Sequence, residues 1–390
     1  MDKSTKLFLL LTVACLQLLL TSCQQSADFG VTNPESIPSN PIGTPEATPT
    51  PSAQVYEDDF DFQLEILQVD SDAYITTPDL YGEYVVYANW NDVTNETRKI
   101  HMLNINTKED QIIYSLPHQD YDSMIDDVCI GDGWIFWVEG HWTTEDLPTD
   151  WAIKSYNIQT KETRTIRESS ELGGTITLAP RLDNEDNTIV WMEGYGNSEG
   201  EYFHTVYTYN ADTDDMLLVT DVSSVFNPFS RIRIRNHTIS FYDTVDNADG
   251  IRVIDLADYT EMFVETGCLP YSVCSNGEYA AWKKEAGALY VYCLADGKTT
   301  QVSDSPFLCD MYGDNLYYSE IDPHHLYRYS LKTGKTTCLT TSFTREYERV
   351  WVDYPSVYGN TMVCDMRCDR ANEEDDIKKG RCELLVIRWE

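Results

Sequence analysis

The sequence predicts an all-β protein, a β-propeller of seven blades in which an N-terminal strand completes the last blade. Three observations predict this fold: a repeated strand–turn unit, near-continuous apolar strands inside each unit, and a final unit that lacks one strand. Internal repeats of a few tens of residues are typical of propellers and solenoids.

The repeat is clearest where an alternating strand ends in a tight turn. Six copies align on equivalent positions that lie 37 to 53 residues apart, namely Thr107, Thr160, Thr213, Asp258, Asp296 and Thr333. Short strands at such spacing, each ending in turn residues, are typical of propeller blades. The spacing therefore predicts six complete blades.

A seventh copy begins at Val350 and ends at the chain terminus with only three strands. The segment 60–66 alternates between apolar and polar residues and precedes the first blade. Pairing this segment with the seventh copy would close the ring and remove two exposed sheet edges. The sequence thus predicts closure of the last blade by the first strand.

Each unit also contains a short apolar run, expected of strands that are buried on both faces between neighbouring sheets. These runs are 85–87, 135–138, 189–192, 239–242, 279–282 and 316–318. Packing between sheets therefore accounts for most of the 26 tyrosines and 9 tryptophans without any ligand.

The run Leu-Lys-Thr-Gly-Lys-Thr-Thr-Cys-Leu-Thr at 331–340 resembles the blade consensus of TolB-like and related extracytoplasmic propellers. The resemblance covers most of 60–390. It implies a propeller and a tendency to bind partners, because a shared fold does not carry a shared function.

The first 22 residues have the pattern of a secretory signal peptide, with Lys3 and Lys6 followed by an apolar run at 7–20. The tetrad Leu-Thr-Ser-Cys at 20–23 resembles a bacterial lipobox, which implies that Cys23 is lipidated; the alternative is an ordinary signal peptide cut nearby. Residues 23–55, rich in Pro, Ser and Thr, are expected to be a disordered tether. The propeller then spans 56–390, anchored to the cell membrane on its extracytoplasmic face.

The chain carries 28 basic and 65 acidic residues, a formal net charge of −37. A field of this sign repels nucleic-acid phosphates and anionic lipid headgroups. We therefore expect no nucleic-acid partner and membrane contact only through the lipid anchor. Cations, cationic proteins and neutral ligands remain open.

Nine cysteines remain after Cys15 and Cys23, an odd number without any Cys-x-x-Cys motif. This pattern indicates neither a complete disulfide framework nor a zinc knuckle. Cys368 and Cys382 flank an acidic loop and are a candidate disulfide. We expect no cofactor, although acidic turns such as 243–250, which does not fit an EF-hand, could bind surface Ca²⁺ weakly.

The segment 196–200 matches a nucleophile elbow, but it joins two strands of one blade, so Ser198 is not expected to be catalytic. Better candidates are aromatic residues in loops between second and third strands, which share one face with the blade-to-blade connections. Exposed aromatic side chains there would suit a sugar or a peptide; the alternative is that they pack over the blades. These ligand-binding candidates are Trp90, Trp142, Trp151, Tyr195 and Tyr202.

The leading hypothesis is a monomeric, non-enzymatic binding or scaffold module that recognises a protein or polysaccharide of the bacterial cell envelope. One alternative is a glycan hydrolase or lyase with carboxylates at the channel mouth, whose required separation cannot be read from sequence. The other is a structural accessory subunit of an envelope complex.

Overall fold

The structure is a computed structural model that describes residues 60–69, 74–90, 99–116, 123–141, 150–172, 176–196, 202–223, 231–284, 287–320, 325–340, 349–369 and 381–390. The predicted signal peptide, Cys23 and the tether lie outside these ranges. No helix within the described ranges is long and apolar enough to cross a membrane.

The described chain forms seven antiparallel sheets, which confirms the predicted seven-bladed propeller. The strands of the N-terminal half, in chain order, are β1 (Phe62–Gln68), β2 (Tyr74–Tyr81), β3 (Tyr84–Trp90), β4 (Lys99–Asn104), β5 (Asp110–Ser115), β6 (Ser123–Ile130), β7 (Trp134–His141), β8 (Asp150–Asn157), β9 (Thr163–Glu168), β10 (Ile176–Leu178), β11 (Leu182–Glu185), β12 (Thr188–Gly196), β13 (Tyr202–Asn210) and β14 (Asp215–Val222). A single 3₁₀ turn, Ser169–Glu171, follows β9.

The C-terminal half contains β15 (Arg233–Arg235), β16 (Thr238–Val245), β17 (Ala248–Asp255), β18 (Glu261–Glu265), β19 (Pro270–Ser275), β20 (Tyr279–Lys284), β21 (Leu289–Cys293), β22 (Thr299–Ser303), β23 (Pro306–Tyr312), β24 (Asn315–Glu320), β25 (Leu326–Ser330), β26 (Thr336–Cys338), β27 (Arg349–Tyr358), β28 (Thr361–Asp369) and β29 (Arg381–Trp389).

Blades 1 to 6 consist of consecutive strands, from the channel outward: β2–β5, β6–β9, β10–β14, β15–β18, β19–β22 and β23–β26. In blade 3 the innermost position is divided between β10 and β11, which both pair with β12. Blade 7 has the order β27-β28-β29-β1, so the first strand of the domain is its outermost strand.

The predicted closure is confirmed by a seven-residue antiparallel ladder between β1 and β29, from Phe62 opposite Trp389 to Gln68 opposite Glu383. Residues next to this seam also contact both neighbouring blades. Arg328 of blade 6 lies 4.2 Å from the centre of the Phe60 ring, and Lys108 of blade 1 forms a 2.6 Å ion pair with Glu65. The seam therefore joins three blades.

The core consists of apolar clusters between successive sheets, which confirms the structural interpretation of the apolar runs. In blade 2, Ile135, Phe136, Trp137 and Val138 are all fully buried. Their side chains alternate between the cluster shared with blade 1 and the cluster shared with blade 3. Each blade thus needs a neighbour on both faces.

The turn after each third strand has the same geometry in six blades and explains the repeat. The residue following each aligned position has a positive φ in every copy: Lys108, Lys161, Asp214, Tyr259, Gly297 and Gly334. In blades 1 to 3 an asparagine that ends the third strand, such as Asn157, accepts hydrogen bonds from the backbone N–H groups two and three residues later. Such Asx turns stabilise a tight reversal.

Seven of the nine cysteines expected in the mature chain are free thiols: Cys129, Cys268, Cys274, Cys293, Cys309, Cys338 and Cys364. In the ladder between β28 and β29, Cys368 lies opposite Arg381 and Cys382 lies opposite Arg367. The two candidate disulfide partners therefore belong to adjacent strands but are offset by one position, and their side chains lie outside the described set.

Candidate functional site

The innermost strands of the seven blades surround a central channel, and equivalent residues on them form one layer of it. In each blade, the residue of this layer lies on the innermost strand, opposite the third residue of the second strand. Its members are Asp79, Cys129, Asp183, Arg233, Cys274, Asp310 and Ser356. Charged groups gathered inside a domain are candidates for a functional site, and four of these seven residues are charged.

Three arginines enter the channel from blade 4 because they alternate along one extended segment. The sequence at 231–235 reads Arg-Ile-Arg-Ile-Arg. Successive side chains of a strand point to opposite faces. Ile232 and Ile234 pack in the core with blade 3, which leaves the three arginines for the channel.

Arg235 connects blades on different sides of the channel. Its guanidinium donates to Asp183 Oδ2 at 2.5 Å and to Asp310 Oδ2 at 2.6 Å, and it also donates to the Tyr312 hydroxyl oxygen at 2.8 Å. The Arg235 side chain is only 8% exposed and lies 4.3 Å from the centre of the Tyr312 ring. Blades 3, 4 and 6 are thereby joined through one buried cation.

A second ion-pair group lies two residues nearer to the blade-to-blade connections, at the end that we call the channel mouth. Asp127 of blade 2 lies 3.3 Å from Arg181 Nη1 and 3.7 Å from Arg231 Nη2. Arg231 also lies 5.0 Å from the centre of the Tyr354 ring of blade 7. The side chains of Arg181 and Arg231 are 42% and 20% exposed, so both are partly accessible to solvent.

The channel aspartates also bind the backbone of the next blade. Asp79, Asp127 and Asp183 each accept one backbone N–H, at 2.8 to 3.0 Å, from the inner strand of the blade that follows. Ser356 of blade 7 accepts the Leu80 N–H and donates to Asp79 Oδ1 at 2.6 Å, which continues the series across the seam.

The remaining junctions are bridged by other polar side chains. Asn236 donates to the Asn276 carbonyl between blades 4 and 5, Ser272 donates to the Cys309 carbonyl between blades 5 and 6, and Tyr312 donates to the Pro355 carbonyl between blades 6 and 7. Every one of the seven junctions therefore has a polar tie near the channel.

Burial raises the pKa of the channel carboxyls, whereas ion pairing lowers it. Burial raises the pKa of Asp79 to about 6, although the hydrogen bonds from Ser356 and Ile130 act to lower it. At Asp127 burial also opposes ionisation, but Arg231 and Arg181 outweigh it and hold the pKa of that carboxyl below its usual value. Asp127 is therefore a counter-ion of the two arginines, whereas the pKa of Asp79 lies at about 6.

The ion pairs and backbone hydrogen bonds of the channel aspartates are suited to holding neighbouring blades and side chains in place. A glycosidase needs one carboxyl that donates a proton and a second that acts as nucleophile or base. Arg235 and Arg233 each lie within ion-pair distance of both Asp183 and Asp310, which makes these two carboxylates counter-ions of the arginines. At the channel mouth, in contrast, Arg181, Arg231 and Tyr354 present donors and a ring to solvent.

One of the predicted ligand-binding residues is in the core. Trp151 is a strand residue of β8, only 2% exposed, and packs in the cluster between blades 2 and 3. The prediction that Trp151 lies in an exposed loop was wrong, because the alternation at Trp151, Ile153 and Ser155 extends the strand to Asp150. Its indole is not accessible to a ligand.

The other candidates lie at or beyond the ends of their strands. Trp90 is the last residue of β3, and Tyr195 and Tyr202 belong to the β12–β13 hairpin rather than to a loop. The side chains of these three residues lie outside the described set. Trp142, Ser198 and Cys23 lie outside the described residues altogether. Their predicted roles stay predictions.

The three arginines of blade 4, Arg231, Arg233 and Arg235, were not among the predicted site residues. The alternation at 231–235 was available as a signal, since three of only 28 basic residues occupy one five-residue segment at an inner-strand position.

The acidic segment 243–250, considered for weak Ca²⁺ binding, forms the β16–β17 hairpin. Its Asp243 is fully buried and pairs with Arg252 at 3.0 Å. Within the described ranges no group of three or more His, Cys, Asp or Glu side chains is placed to hold a metal ion.

We predict that Arg235→Met destabilises the domain by about 3–5 kcal/mol, because two buried carboxylates lose their closest cation and keep only Arg233, at 3.3 Å from Asp183 and 3.6 Å from Asp310. Equilibrium denaturation in urea measures the change. The control is Arg164→Met, which removes an exposed ion pair of 3.6 Å with Asp214 and is expected to cost about 0–1 kcal/mol. Equal losses for the two variants would contradict a structural role of the channel ion pairs.

We also predict a specific effect of Asp79 on the pH dependence of stability. A carboxyl whose pKa is about 6 in the folded state binds its proton more tightly than in the unfolded chain, so its contribution to stability falls as pH rises from about 4 to about 6. Asp79→Asn should therefore gain stability relative to the parent, on the order of 2 kcal/mol, across this range. Thermal unfolding measured from acid to neutral pH tests this, and parallel curves for the two proteins would refute it.

Comparison with known proteins supports the fold alone. No family model matches the chain, and no curated protein matches it. Among solved structures, the propeller domain of the Trilobed protease from Pyrococcus furiosus, described as having an open velcro topology, is 13% identical over 80% of this chain and 93% of its own, with a TM-score of 0.54. Unlike that description, the present ring is closed by β1.

Two enzymes contain similar structures. Acylaminoacyl peptidase from Pyrococcus horikoshii is 12% identical over 81% of this chain and 52% of its own, with a TM-score of 0.54. Oligogalacturonate lyase in complex with manganese is 11% identical over 87% of this chain and 96% of its own, with a TM-score of 0.50.

TolB from Acinetobacter baumannii is 11% identical with a TM-score of 0.41, too low to support the predicted TolB-like resemblance. At these identities the comparisons show that the chain is a β-propeller.

Proposed function

We propose that this chain is a membrane-anchored, extracytoplasmic binding module whose ligand docks at the channel mouth. The observation that carries the proposal is the division of the channel into two parts. The deeper aspartates are bound by arginines and by the backbone of neighbouring blades, whereas Arg181, Arg231 and Tyr354 remain accessible at the mouth.

The geometry of the mouth supports a ligand that carries carboxylate groups. Asp127 orients Arg181 and Arg231 from below, and Tyr354 packs against Arg231. Guanidinium groups that are already held in place lose less freedom when they bind a carboxylate, which they recognise through paired N–H groups. An acidic polysaccharide or an acidic protein segment of the cell envelope would supply such groups.

The net charge of −37 does not prevent this interaction. Charges on the surface are screened beyond roughly 8 Å at physiological ionic strength, so a bound carboxylate responds mainly to nearby groups. Among the described charged side chains at the mouth, the guanidinium groups of Arg181 and Arg231 lie beside the single carboxylate of Asp127. These described groups together carry a net positive charge.

The alternative of a glycan hydrolase or lyase receives less support from the described channel. The aspartates of the channel accept backbone hydrogen bonds or bind arginines, as Asp183 and Asp310 do with Arg235. The likeness to oligogalacturonate lyase concerns the fold only. A structural accessory role remains compatible with the same surface and is one outcome of the binding experiments.

Binding at the mouth predicts a specific effect of its arginines. We expect Arg181→Gln/Arg231→Gln to weaken binding of oligogalacturonate, or of a poly-glutamate peptide, by about tenfold or more, since two charge-assisted contacts are lost. Isothermal titration calorimetry with the full chain measures this, and the neutral glycan cellohexaose is the control ligand. The two acidic probes separate a glycan ligand from a protein ligand.

The matched control variant is Arg388→Gln, which removes a partly exposed arginine that pairs with Glu65 at the outer seam. It should bind both acidic probes as the parent does. Equal affinity of the parent and the double variant, or no binding of either acidic probe at about 1 mM, would contradict the proposed site.

The membrane anchor is tested through Cys23. When the gene is expressed in a bacterium supplied with labelled palmitate, the parent chain should carry the label and partition into detergent, because acylation supplies a large apolar group. Cys23→Ser should lose both properties. Label incorporation into the Cys23→Ser chain would refute lipidation at this position.

A further inference from the structure

The outer edge of blade 3 exposes an apolar strip. Three consecutive residues of β14, Met216, Leu217 and Leu218, are 41%, 49% and 58% exposed. Other outermost strands in the described part of the chain show at most one exposed large aliphatic residue, such as Ile112 in β5. Contiguous exposed apolar surface on a soluble domain marks an interaction site more often than isolated residues do.

This strip lies on a free sheet edge. β14 is the last strand of the blade 3 sheet, and within the described ranges no strand pairs with its outer side. Asp215 to Leu218 form a regular ladder with Asn210 to Tyr207 of β13, and a bulge follows at Val219. Alternate backbone N–H and C=O groups of a regular edge strand point outward and can accept a further strand.

Acidic residues surround the strip. Asp212, Asp214, Asp215 and Asp221 are all exposed. Of these carboxylates, Asp214 has a distant ion pair with Arg164 at 3.6 Å, and Asp221 accepts a hydrogen bond from Thr205. The edge therefore combines aliphatic side chains with a surplus of negative charge at both ends.

This charge pattern disfavours pairing between two copies of the chain. Two copies that paired through this edge would bring eight exposed carboxylates, those of Asp212, Asp214, Asp215 and Asp221 in each copy, to one interface. Like charges directly opposite one another destabilise a strand pair, and both copies carry a net charge of −37. A partner strand flanked by lysine or arginine meets the same edge with opposite charges.

We propose that β14 is a docking edge for an extended segment of a basic partner protein, which adds an antiparallel strand to blade 3. Backbone hydrogen bonds to the outward groups of β14 would hold the segment. Alternate apolar side chains of the segment contact Met216 and Leu218 on one face and Leu217 on the other, while its basic ends lie near Asp215 and Asp221. The proposal does not depend on the site at the channel mouth.

The probe is the labelled peptide KKVTVTVKK, and the acidic peptide EEVTVTVEE is its control. Fluorescence anisotropy with the full chain should show binding of the basic peptide that is at least about tenfold tighter than that of the acidic one. Hydrogen–deuterium exchange should show peptide-induced protection of amides in 215–218. Protection that maps to another blade would overturn the proposal.

Variants separate the edge from general electrostatic attraction. Met216→Lys/Leu218→Lys should weaken binding of the basic peptide by about tenfold or more, because it removes the apolar contacts and adds like charge. Ile112→Lys, which makes a similar change on the outer strand of blade 1, should have little effect. Circular dichroism and thermal unfolding verify that all variants fold.

Three further results would overturn the proposal: equal loss of binding in the β14 and β5 variants, no binding of the basic peptide at about 1 mM, or dimerisation of the parent chain that Met216→Lys/Leu218→Lys abolishes. The last result, measured by analytical ultracentrifugation, would assign the edge to a second copy. None of these results bears on ligand binding by Arg181 and Arg231.

Discussion

The pairing of β1 with β29 is the interaction on which the rest of the structure depends. It joins the two ends of the domain in one ladder of seven residue pairs and gives blade 7 its outer strand. Each blade of a propeller buries apolar side chains on both faces, so an open ring would expose the faces on either side of the gap. The contacts of Phe60 with Arg328 and of Glu65 with Lys108 extend the seam into blades 6 and 1.

The radial arrangement of the blades determines which charges meet in the channel. It brings the arginines of blade 4 within reach of aspartates from blade 3, which is adjacent, and from blades 2 and 6, which are not. Buried charges are costly unless they are paired and hydrogen-bonded. Here the pairing of Arg235 with Asp183 and Asp310 holds blades on different sides of the channel in place, whereas the ion pairs of Asp127 orient Arg181 and Arg231 at the mouth. The proposed recognition at the mouth therefore depends on the same ring that the deeper ion pairs stabilise.

The sequence predicted the blades well because the signals for them are local. The turn geometry at Lys161 and its equivalents recurs in six of the seven blades, and the alternation at 60–66 was sufficient to predict the closing strand. The site was predicted less well. Strand ends were placed by polarity, which assigned the buried Trp151 to a loop. The ion pair of Arg235 with Asp310 joins residues 75 positions apart, and no pattern along the chain indicates which inner strands lie across the channel from one another.

Native-state hydrogen exchange of the β1 amides tests the central role of closure most directly. If the seam is part of one cooperative ring, the hydrogen-bonded amides of β1 and β29 exchange only through global unfolding, with the same free energy and denaturant dependence as the buried amides of β16. Exchange of β1 through a local opening of much lower free energy, while the other blades keep full protection, would contradict the account.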